Sequence, residues 1–254
     1  MQIEVLGCHG GEVPGFSFCS LRIDRALLVD AGRVTSVLPL AEQREIEHVL
    51  VGHSHFDHLR DLLALAQNRA YEGRAQALAV WGLTETVRAM REHLFNGVIW
   101  PDFARLPANR PALTFHTLEL WTPVTAGMHQ VTAVPMEHSV PSCGVVVERD
   151  GVALMVGGDG APSPETCARL RSWPGLAACV FEATFCNAQE DLARRTGHMT
   201  PHILAERIQR IARPELAILL YHLSPPCYRE ICAELDELPV PVRVLQAGET
   251  VQLP

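Results

Sequence analysis

Long apolar runs are missing from this chain of 254 residues. No run approaches the ~18 consecutive apolar residues that a membrane-spanning helix requires, so the sequence predicts no transmembrane segment. The first residues, MQIEVLGC, lack the basic and apolar stretches of a secretory signal and start directly with a strand pattern. These absences favour a cytoplasmic protein without a membrane partner.

Basic charge is scarce as well. The chain carries 21 lysine-plus-arginine residues against 29 acidic residues, for a formal net charge of −8. Proteins that bind nucleic acid usually present a basic face, because neutralising phosphates dominates their affinity. Since the basic residues here are scattered, the sequence predicts no nucleic-acid partner. A small anionic substrate held by metal ions stays compatible, because bound cations outweigh nearby side-chain charge.

Paired cysteines and linkers are also absent. The eight cysteines include no CxxC pair, and several lie in apolar strand-like runs, as Cys179 does in AACVF. We interpret them as small buried hydrophobic residues in a reducing compartment. No repeat or Pro/Gly/Ser-rich linker divides the chain, and 48% of its residues are hydrophobic. Residues 1–254 are therefore expected to form one globular domain.

Short apolar strands alternate with helical patterns along the chain. Strands are predicted at residues 2–6, 16–23, 26–30, 48–52, 77–80, 113–120, 129–136, 143–149, 152–157, 177–182 and 216–221. Helices are predicted over about 59–69 and 84–94, after the N-cap Ser163, from Thr200 to about Ile211, and from Ser224 onwards. Strands followed by helices in two similar halves indicate an α/β protein, with two sheets packed face to face and helices outside.

The segment HSHFDH carries the strongest chemical signal. It follows the apolar strand HVLVG and supplies His53, His55, Asp57 and His58. A loop leaving a strand end turns successive side chains to opposite sides of a small cavity. His53 and His55 can therefore serve one ion, while Asp57 and His58 serve a second. Imidazole and carboxylate groups hold catalytic zinc, and also iron or manganese.

Four side chains do not complete two metal sites, so more His or Asp residues are expected at later strand ends. His138 ends the run VTAVPMEH, Asp159 ends VALMVGGD, and His222 ends LAILLYH. The glycines beside Asp159 let the backbone turn sharply. Any one of these residues alone is more often a capping or satisfied polar residue. Their recurrence after the histidine motif favours metal ligation.

Together these segments resemble the metallo-β-lactamase superfamily, through HSHFDH, a later isolated His, GDG and YHLSP. The resemblance implies an αββα four-layer sandwich with two divalent metal ions on its rim. It assigns one ion to His53, His55 and His138, the other to Asp57, His58 and His222, and a bridging role, together with a hydroxide, to Asp159. It matches Asp30, in VDAG, to a buried aspartate that supports the histidine loop, the alternative being a turn residue. Zinc is expected, with manganese or iron as alternatives.

A narrower resemblance, to class II 3′,5′-cyclic-nucleotide phosphodiesterases, spans about residues 5–226. It rests on LGCHGG, HSHFDHLRDL, FNGVIWPDF, EHSVPSCG, FEATF, TGHMTP and YHLSPP. It implies hydrolysis of cyclic AMP or cyclic GMP to the 5′-nucleotide by attack of the bridging hydroxide. His9 departs from the family's small hydroxyl residue, and Asp61 from a frequent glycine. We interpret His9 as a turn residue, the alternative being a contact with the site, and Asp61 as structural, at a dipole-favourable position in a first helical turn.

His198 and Glu182 are the predicted general acid and its orienting partner. Metal ions do nothing for a leaving alkoxide unless a proton reaches it, so an acid is expected on the far side. His198 precedes a helix in TGHMTP, and Glu182 ends the strand AACVFE. Related phosphodiesterases and tRNA-processing members pair such residues. The alternative is a helix-entry histidine and a solvated glutamate. With Asp57, these two residues form the predicted catalytic set.

Several functions remain open at this point. Cyclic-nucleotide hydrolysis leads, and the same chemistry on another small phosphodiester, a thioester or a lactone is the alternative. An RNA-processing role is disfavoured because no basic arm is visible. An inactive metal-binding scaffold is disfavoured because it needs no general acid. Analogy with the family suggests a homodimer. The aromatic segment 95–103 either lines the site, packs in the core or contacts another subunit.

Overall fold

A computed structural model describes residues 1–73 and 76–254. The strands are β1 (Gln2–Gly7), β2 (Ser20–Ile23), β3 (Leu27–Val29), β4 (His48–Leu50), β5 (Leu78–Gly82), β6 (Leu113–Thr117), β7 (Pro123–Ala126), β8 (His129–Glu137), β9 (Ser142–Arg149), β10 (Val152–Val156), β11 (Ala161–Pro162), β12 (Leu176–Glu182), β13 (Ala217–Tyr221), β14 (Arg243–Val244) and β15 (Thr250–Gln252). The helices are α1 (Leu40–Gln43), α2 (Leu62–Tyr71), α3 (Thr84–Ala89), α4 (Pro164–Arg171), α5 (Glu190–Thr196), α6 (Pro201–Ile211) and α7 (Tyr228–Asp236).

The strands form two sheets. The first has the order β15-β1-β2-β3-β4-β5-β6, and the second has the order β11-β8-β9-β10-β12-β13-β14 with β7 paired to β8. The side chains of β13 show how the sheets pack. Leu219 and Tyr221 lie in the hydrophobic cluster between the sheets, whereas Ile218 and Leu220 lie in the cluster beneath the helices. This alternation follows from the two-residue period of a strand and buries both faces of the sheet.

Helices cover the outer face of each sheet. Residues of α2 and α3, including Leu62 and Val87, pack against the first sheet, where they share a hydrophobic cluster with residues of β5. Residues of α4, α6 and α7, including Leu170, Leu204 and Ile231, pack against the second sheet. The predicted αββα four-layer sandwich is therefore confirmed.

Parallel strands bring their carboxyl ends to a common edge. β3, β4, β5 and β6 are parallel in the first sheet, as are β10, β12, β13 and β14 in the second. β8 runs in the direction of β10, because both are antiparallel to β9. The loops that follow β4, β8, β10 and β13 carry the predicted metal ligands. One edge of the sandwich thus collects residues that lie far apart in sequence.

Two predicted helix starts are confirmed in detail. Ser163 accepts a hydrogen bond from the amide of Thr166, and Thr200 accepts one from the amide of Ile203. A proline follows each of these capping residues. The helix predicted from Ser224 begins instead with a 3₁₀ turn over Pro225–Cys227, and α7 follows.

Other boundaries differ from the predictions. The helix predicted over 59–69 starts later, because a 3₁₀ turn at Phe56–His58 carries part of the histidine motif. The helix predicted over 84–94 ends in a π-helical turn at Met90–Leu94. The eight cysteines are free thiols, and all but the half-buried Cys232 are buried, as expected for small hydrophobic residues. Among the described residues, no helix has both the length and the apolar character needed to cross a bilayer.

Candidate metal centre

All seven predicted ligands lie together at the edge of the sandwich. His53, His55, His138 and Asp159 each place one ligand atom within 4.8 Å of the others. Asp57, His58, His222 and Asp159 form a second group under the same limit. Asp159 belongs to both groups, which is the arrangement that a bridging carboxylate needs.

The spacing of the donor atoms suits metal coordination. His138 Nε2 lies 3.3 Å from His55 Nδ1, and His222 Nε2 lies 3.3 Å from Asp57 Oδ2. His58 Nε2 lies 3.4 Å from carboxylate oxygens of both Asp57 and Asp159. Two ligands each about 2.0–2.1 Å from a tetrahedral zinc ion are about 3.3–3.4 Å apart. The donors are thus close to the distances at which one cation contacts several of them.

Several of these donors are buried without a hydrogen-bond partner. Within residues 1–73 and 76–254 this applies to both ring nitrogens of His53, to His58 Nε2 and to Asp159 Oδ1. Leaving a buried polar atom unsatisfied costs about 1–3 kcal/mol. A divalent cation would satisfy the atoms that face the centre of each group. The side chains present therefore fit metal ions, and His and Asp are the ligand types that zinc, iron and manganese accept.

The charges of the cluster also call for a cation. Burial opposes ionisation of Asp159, but His222 and His58 outweigh it and hold the pKa of this carboxyl well below its usual value. Burial opposes protonation of His58, but Asp159 and Asp30 raise its pKa well above the usual value. Burial lowers the pKa of His53. The buried carboxylates are thus stabilised by nearby positive charge. A bound cation would provide this charge in place of the protons on the imidazoles.

Asp30 supports the histidine loop, as the resemblance implied. Its Oδ2 lies 2.8 Å from His58 Nδ1, and its Oδ1 accepts a hydrogen bond of 3.1 Å from the amide of Gly52. This contact leaves His58 Nε2 facing the cluster. Asp30 is 1% exposed and has a φ of 58°, a left-handed conformation that side-chain-bearing residues seldom adopt. His222 shares this conformation, also with a φ of 58°. Backbone strain of this kind concentrates at functional sites.

Two further ligands are oriented through their Nδ1 atoms. His138 Nδ1 donates a hydrogen bond of 2.8 Å to the carbonyl oxygen of Gly197. Thr184 Oγ1 lies 2.9 Å from His222 Nδ1 and 2.7 Å from Glu182 Oε2. A hydroxyl has one proton, and the carboxylate attracts it, so Thr184 accepts from the Nδ1–H of His222. Both contacts leave Nε2 unprotonated and free for a metal ion.

Glu182 lies fully buried beside this cluster. Its carboxylate accepts hydrogen bonds from the amides of Thr184, Met199 and Gly160 at 2.8, 2.9 and 3.3 Å, and from the Thr184 hydroxyl. Its Oε1 lies 3.1 Å from His198 Nδ1. The solvated strand end that the sequence left as an alternative is therefore wrong, since Glu182 is 0% exposed.

His198 stands between Glu182 and the metal-ligand cluster. Its Nδ1 lies 4.0 Å from Asp159 Oδ2, and its ring stacks on that of His222 with 5.7 Å between centroids. Burial opposes its protonation, but the nearby carboxylate of Glu182 raises the pKa of His198 to about 9. Bound cations would oppose this rise. Because Nδ1 faces Glu182, Nε2 is the atom that can exchange a proton with a substrate.

Thr184 is the clearest residue that sequence reasoning missed. It connects Glu182, His198 and His222 through one hydroxyl group. The motif FEATF contained it, and it lies two residues beyond Glu182. Nothing in the sequence indicates that His222, 38 residues later, contacts the Thr184 hydroxyl.

His9 and Asp61 lie close to the site without joining the ligand groups. His9 Nδ1 accepts a hydrogen bond of 3.1 Å from the amide of Ser17, and its ring packs against Phe16. Asp61 makes no capping bond to α2. Instead its Oδ2 accepts from the amides of Val34 and Thr35 at 2.7 and 2.8 Å. Asp61 is structural, as interpreted from the sequence. Its role is to bind the loop at Val34 and Thr35, however, and not to interact with the dipole of α2.

The aromatic rings of the segment 95–103 pack against the first sheet. Phe95 and Phe103 are 2% and 5% exposed and belong to the cluster beneath α2 and α3. Trp100 donates its indole N–H to the carbonyl oxygen of Leu63 at 3.0 Å. Of the interpretations left open, core packing describes these three rings.

Comparisons with known proteins agree with the architecture. A family model described as the Beta-lactamase superfamily domain matches residues 25–222. The chain belongs to this family. It has the metallo-β-lactamase fold and carries a candidate metal-binding cluster.

Proteins that are similar to this chain in sequence have two different activities. Ribonuclease Z of Methanococcus maripaludis is 28% identical over 160 residues, which cover 59% of this chain and 49% of that protein. The 3′,5′-cyclic-nucleotide phosphodiesterase 1 of Saccharomyces cerevisiae is 31% identical over 52 residues, 20% of this chain and 14% of that protein. The chain spans about half the length of the ribonuclease Z proteins that it matches. The absence of a nucleic-acid partner stays a prediction.

Solved structures share the whole fold. Unliganded yeast PDE1 has a TM-score of 0.82 at 15% identity and covers 99% of this chain and 98% of its own. The metallo-β-lactamase fold protein YhfI of Bacillus subtilis has a TM-score of 0.77 at 16% identity, with 99% of both chains covered. The short form of human tRNase Z has a TM-score of 0.68 at 20% identity, with both chains covered completely. At these identities the likeness concerns the fold alone.

Proposed function

We propose that this protein is a phosphodiesterase that binds two divalent metal ions and hydrolyses 3′,5′-cyclic nucleotides to 5′-nucleotides. One observation carries the proposal. The Glu182–His198 pair lies directly beside two donor groups that share Asp159. Such a pair suits a reaction in which an oxygen atom must be protonated as it leaves.

Separate sets of side chains would hold the two metal ions and orient the ligands. His53, His55 and His138 would hold one metal ion, Asp57, His58 and His222 the other, and Asp159 both. When bound, two such ions supply an activated water at neutral pH and neutralise charge on the phosphoryl oxygens. Asp30, Gly197 and Thr184 keep the ligand imidazoles in the required tautomer through the contacts described above.

His198 is the proposed general acid. Glu182 fixes the ring through Nδ1 and favours its protonated form. The Nε2 proton then passes to the O3′ atom as the bond between phosphorus and O3′ breaks.

Sequence motifs support the cyclic-nucleotide substrate. HSHFDHLRDL, FNGVIWPDF and TGHMTP resemble class II phosphodiesterases. A yeast 3′,5′-cyclic-nucleotide phosphodiesterase is also among the relatives. The alternative substrates, another small phosphodiester, a thioester or a lactone, use the same metal chemistry.

Hydrolysis of RNA is the second candidate, because ribonuclease Z proteins match more than half of the chain. One observation disfavours it. The net charge of −8 provides little attraction for a polyanion.

A substrate panel tests the proposal. Metal-loaded protein is incubated with cyclic AMP, cyclic GMP, bis(p-nitrophenyl) phosphate and a structured RNA, with and without a chelator. We expect chelator-sensitive conversion of a cyclic nucleotide to its 5′-monophosphate. Cleavage of the RNA without turnover of cyclic nucleotides would replace the proposal with the second candidate. Turnover of the synthetic diester alone would contradict the cyclic-nucleotide assignment.

A further inference from the structure

A small cavity of about 190 Å³ opens beside His198. It is lined by Glu137, Ala161, Arg194, Gly197, His198, Ile203 and Arg207. We call this cavity the arginine groove. Its two arginines come from α5 and α6 and do not belong to the metal-ligand groups. The proposed general acid therefore faces a space with two guanidinium groups on its walls.

Arg207 is incompletely paired. Its Nε atom is buried and has no hydrogen-bond partner within the described parts of the chain. Its Nη2 lies 3.8 Å from Glu137 Oε2, and the Glu137 side chain is 58% exposed. Such a long contact to an exposed carboxylate leaves the guanidinium short of acceptors. An anion in the groove would supply them, because planar guanidinium groups bind phosphate oxygens through paired N–H donors.

Arg194 contributes to the same wall. Its Nε and Nη2 both donate to Glu190 Oε1, at 2.9 and 2.6 Å. These bonds hold its side chain at the groove while half of the side chain stays exposed. A fixed guanidinium loses less conformational freedom when it binds an anion.

A second cavity, which reaches His138, has a different lining. It measures about 710 Å³, and its walls include Glu85, Glu119, Leu118 and Met136. No arginine is present among the described residues that line this cavity. Carboxylates and apolar side chains suit a neutral ring system and repel a phosphate. The groove beside His198 thus carries two guanidinium groups, each near one carboxylate, whereas the charged side chains named on the walls of this second cavity are carboxylates alone.

We propose that the arginine groove binds a second phosphate group, carried by the leaving part of the substrate. This inference rests on the proposed function, in which His198 protonates the leaving O3′ atom. A cyclic mononucleotide has no second phosphate. A linear dinucleotide with a 5′-phosphate, such as pApA, has one on the nucleoside that leaves. Water adds across the bond between phosphorus and O3′, His198 supplies the proton to O3′, and two molecules of 5′-AMP result.

Turnover of matched dinucleotides tests this assignment. The ratio of kcat/KM for pApA to that for ApA is measured in the metal-loaded wild type, in Arg207→Gln and in Arg210→Gln. Arg210 lies exposed on the same helix and outside the groove, so it is the matched control. We expect the wild type and Arg210→Gln to prefer pApA by about tenfold, the effect of one charge-assisted contact. Arg207→Gln should lose most of this preference. A ratio near one in the wild type, or an unchanged ratio in Arg207→Gln, would overturn the proposal.

Binding to chelator-treated protein separates the groove from the chemistry. Calorimetric titration with pApA and ApA should show tighter binding of pApA by the wild type and loss of that difference in Arg207→Gln. If no diester is hydrolysed but this difference persists, the proposed function fails and the groove stands. If cyclic AMP is hydrolysed but pApA and ApA bind alike, the groove fails alone. Much tighter binding of a hexa-adenylate than of pApA would overturn the dinucleotide class in favour of extended RNA.

Discussion

At His198, position and charge together suit proton donation. The imidazole contacts Glu182 through Nδ1, and its pKa is raised to about 9 by that carboxylate despite the opposing effect of burial. A residue that only supported the fold would need neither a buried carboxylate partner nor a ring facing a cavity. The leaving group of the substrate therefore offers a way to separate the two roles.

Replacing His198 with alanine should reduce turnover of cyclic AMP by about 10²–10⁴-fold, the usual contribution of a general acid. Turnover of bis(p-nitrophenyl) phosphate should fall far less, because p-nitrophenolate leaves without a proton. Metal content, measured by inductively coupled plasma mass spectrometry, should stay at the wild-type value. His202→Ala, at an exposed histidine on α6, is the control and should keep both activities. Equal losses on both substrates in His198→Ala, or loss of metal, would contradict the acid assignment.

The sequence placed the candidate ligands because each of them follows a strand that its apolar run predicts, four of them after β4 alone. His138, Asp159 and His222 follow runs of apolar residues whose strand character is local. The supporting residues depend on the tertiary structure. Thr184 acts on His222, which is 38 residues away, and Gly197 acts on His138 through a backbone oxygen. No local pattern predicts such pairs.

At the scale of elements, the C-terminal end of α5 positions one ligand. Gly197 ends this helix with a φ of 72° and accepts the hydrogen bond of His138 through its carbonyl oxygen. A Cβ atom at Gly197 would lie 2.7 Å from both His138 Cα and Ser139 N. The helix end must therefore stay free of a side chain for His138 to approach.

Gly197→Ala should weaken metal binding by about 10- to 100-fold, as expected when the partner of a ligand is displaced. Affinity is measured by competition with a chromophoric chelator, and thermal unfolding shows whether the fold is kept. Gly97→Ala provides a matched control, because Gly97 has a φ of 78° and a Cβ there would meet nothing within 4 Å. Equal effects of the two substitutions would show that backbone strain, not the approach to His138, is responsible.

The sequence predicted helices and strands where apolar periodicity was strong. It failed for short strands that form only because they pair with a strand distant in sequence. The strands at 177–182 and 216–221 were predicted to within one residue of β12 and β13. The short strands β14 and β15 were not predicted, because each is held by a long-range neighbour, β13 and β1 respectively. Helix α5 was also missed, since its sequence EDLARRT offers little apolar periodicity.

At the scale of the whole molecule, backbone contacts between the sheets hold the two halves of the site together. The amide of Cys143, in the second sheet, donates to the carbonyl oxygen of Gly52 at 3.0 Å, just before His53. The amide of His222 donates to the carbonyl oxygen of Cys8, after β1, at 2.7 Å. The sandwich could be anticipated from alternating strands and helices. These contacts could not, since they join residues more than 90 positions apart.

The central claim is that seven side chains from both sheets hold two cations. Metal content after equilibrium dialysis against zinc, measured by mass spectrometry on the wild type and on His53→Ala and His222→Ala, tests it most directly. Because the donors form two groups joined only at Asp159, we predict two ions per wild-type chain. Each variant should retain one ion and lose the other. A wild type that binds fewer than two ions, or variants that keep both, would contradict the account.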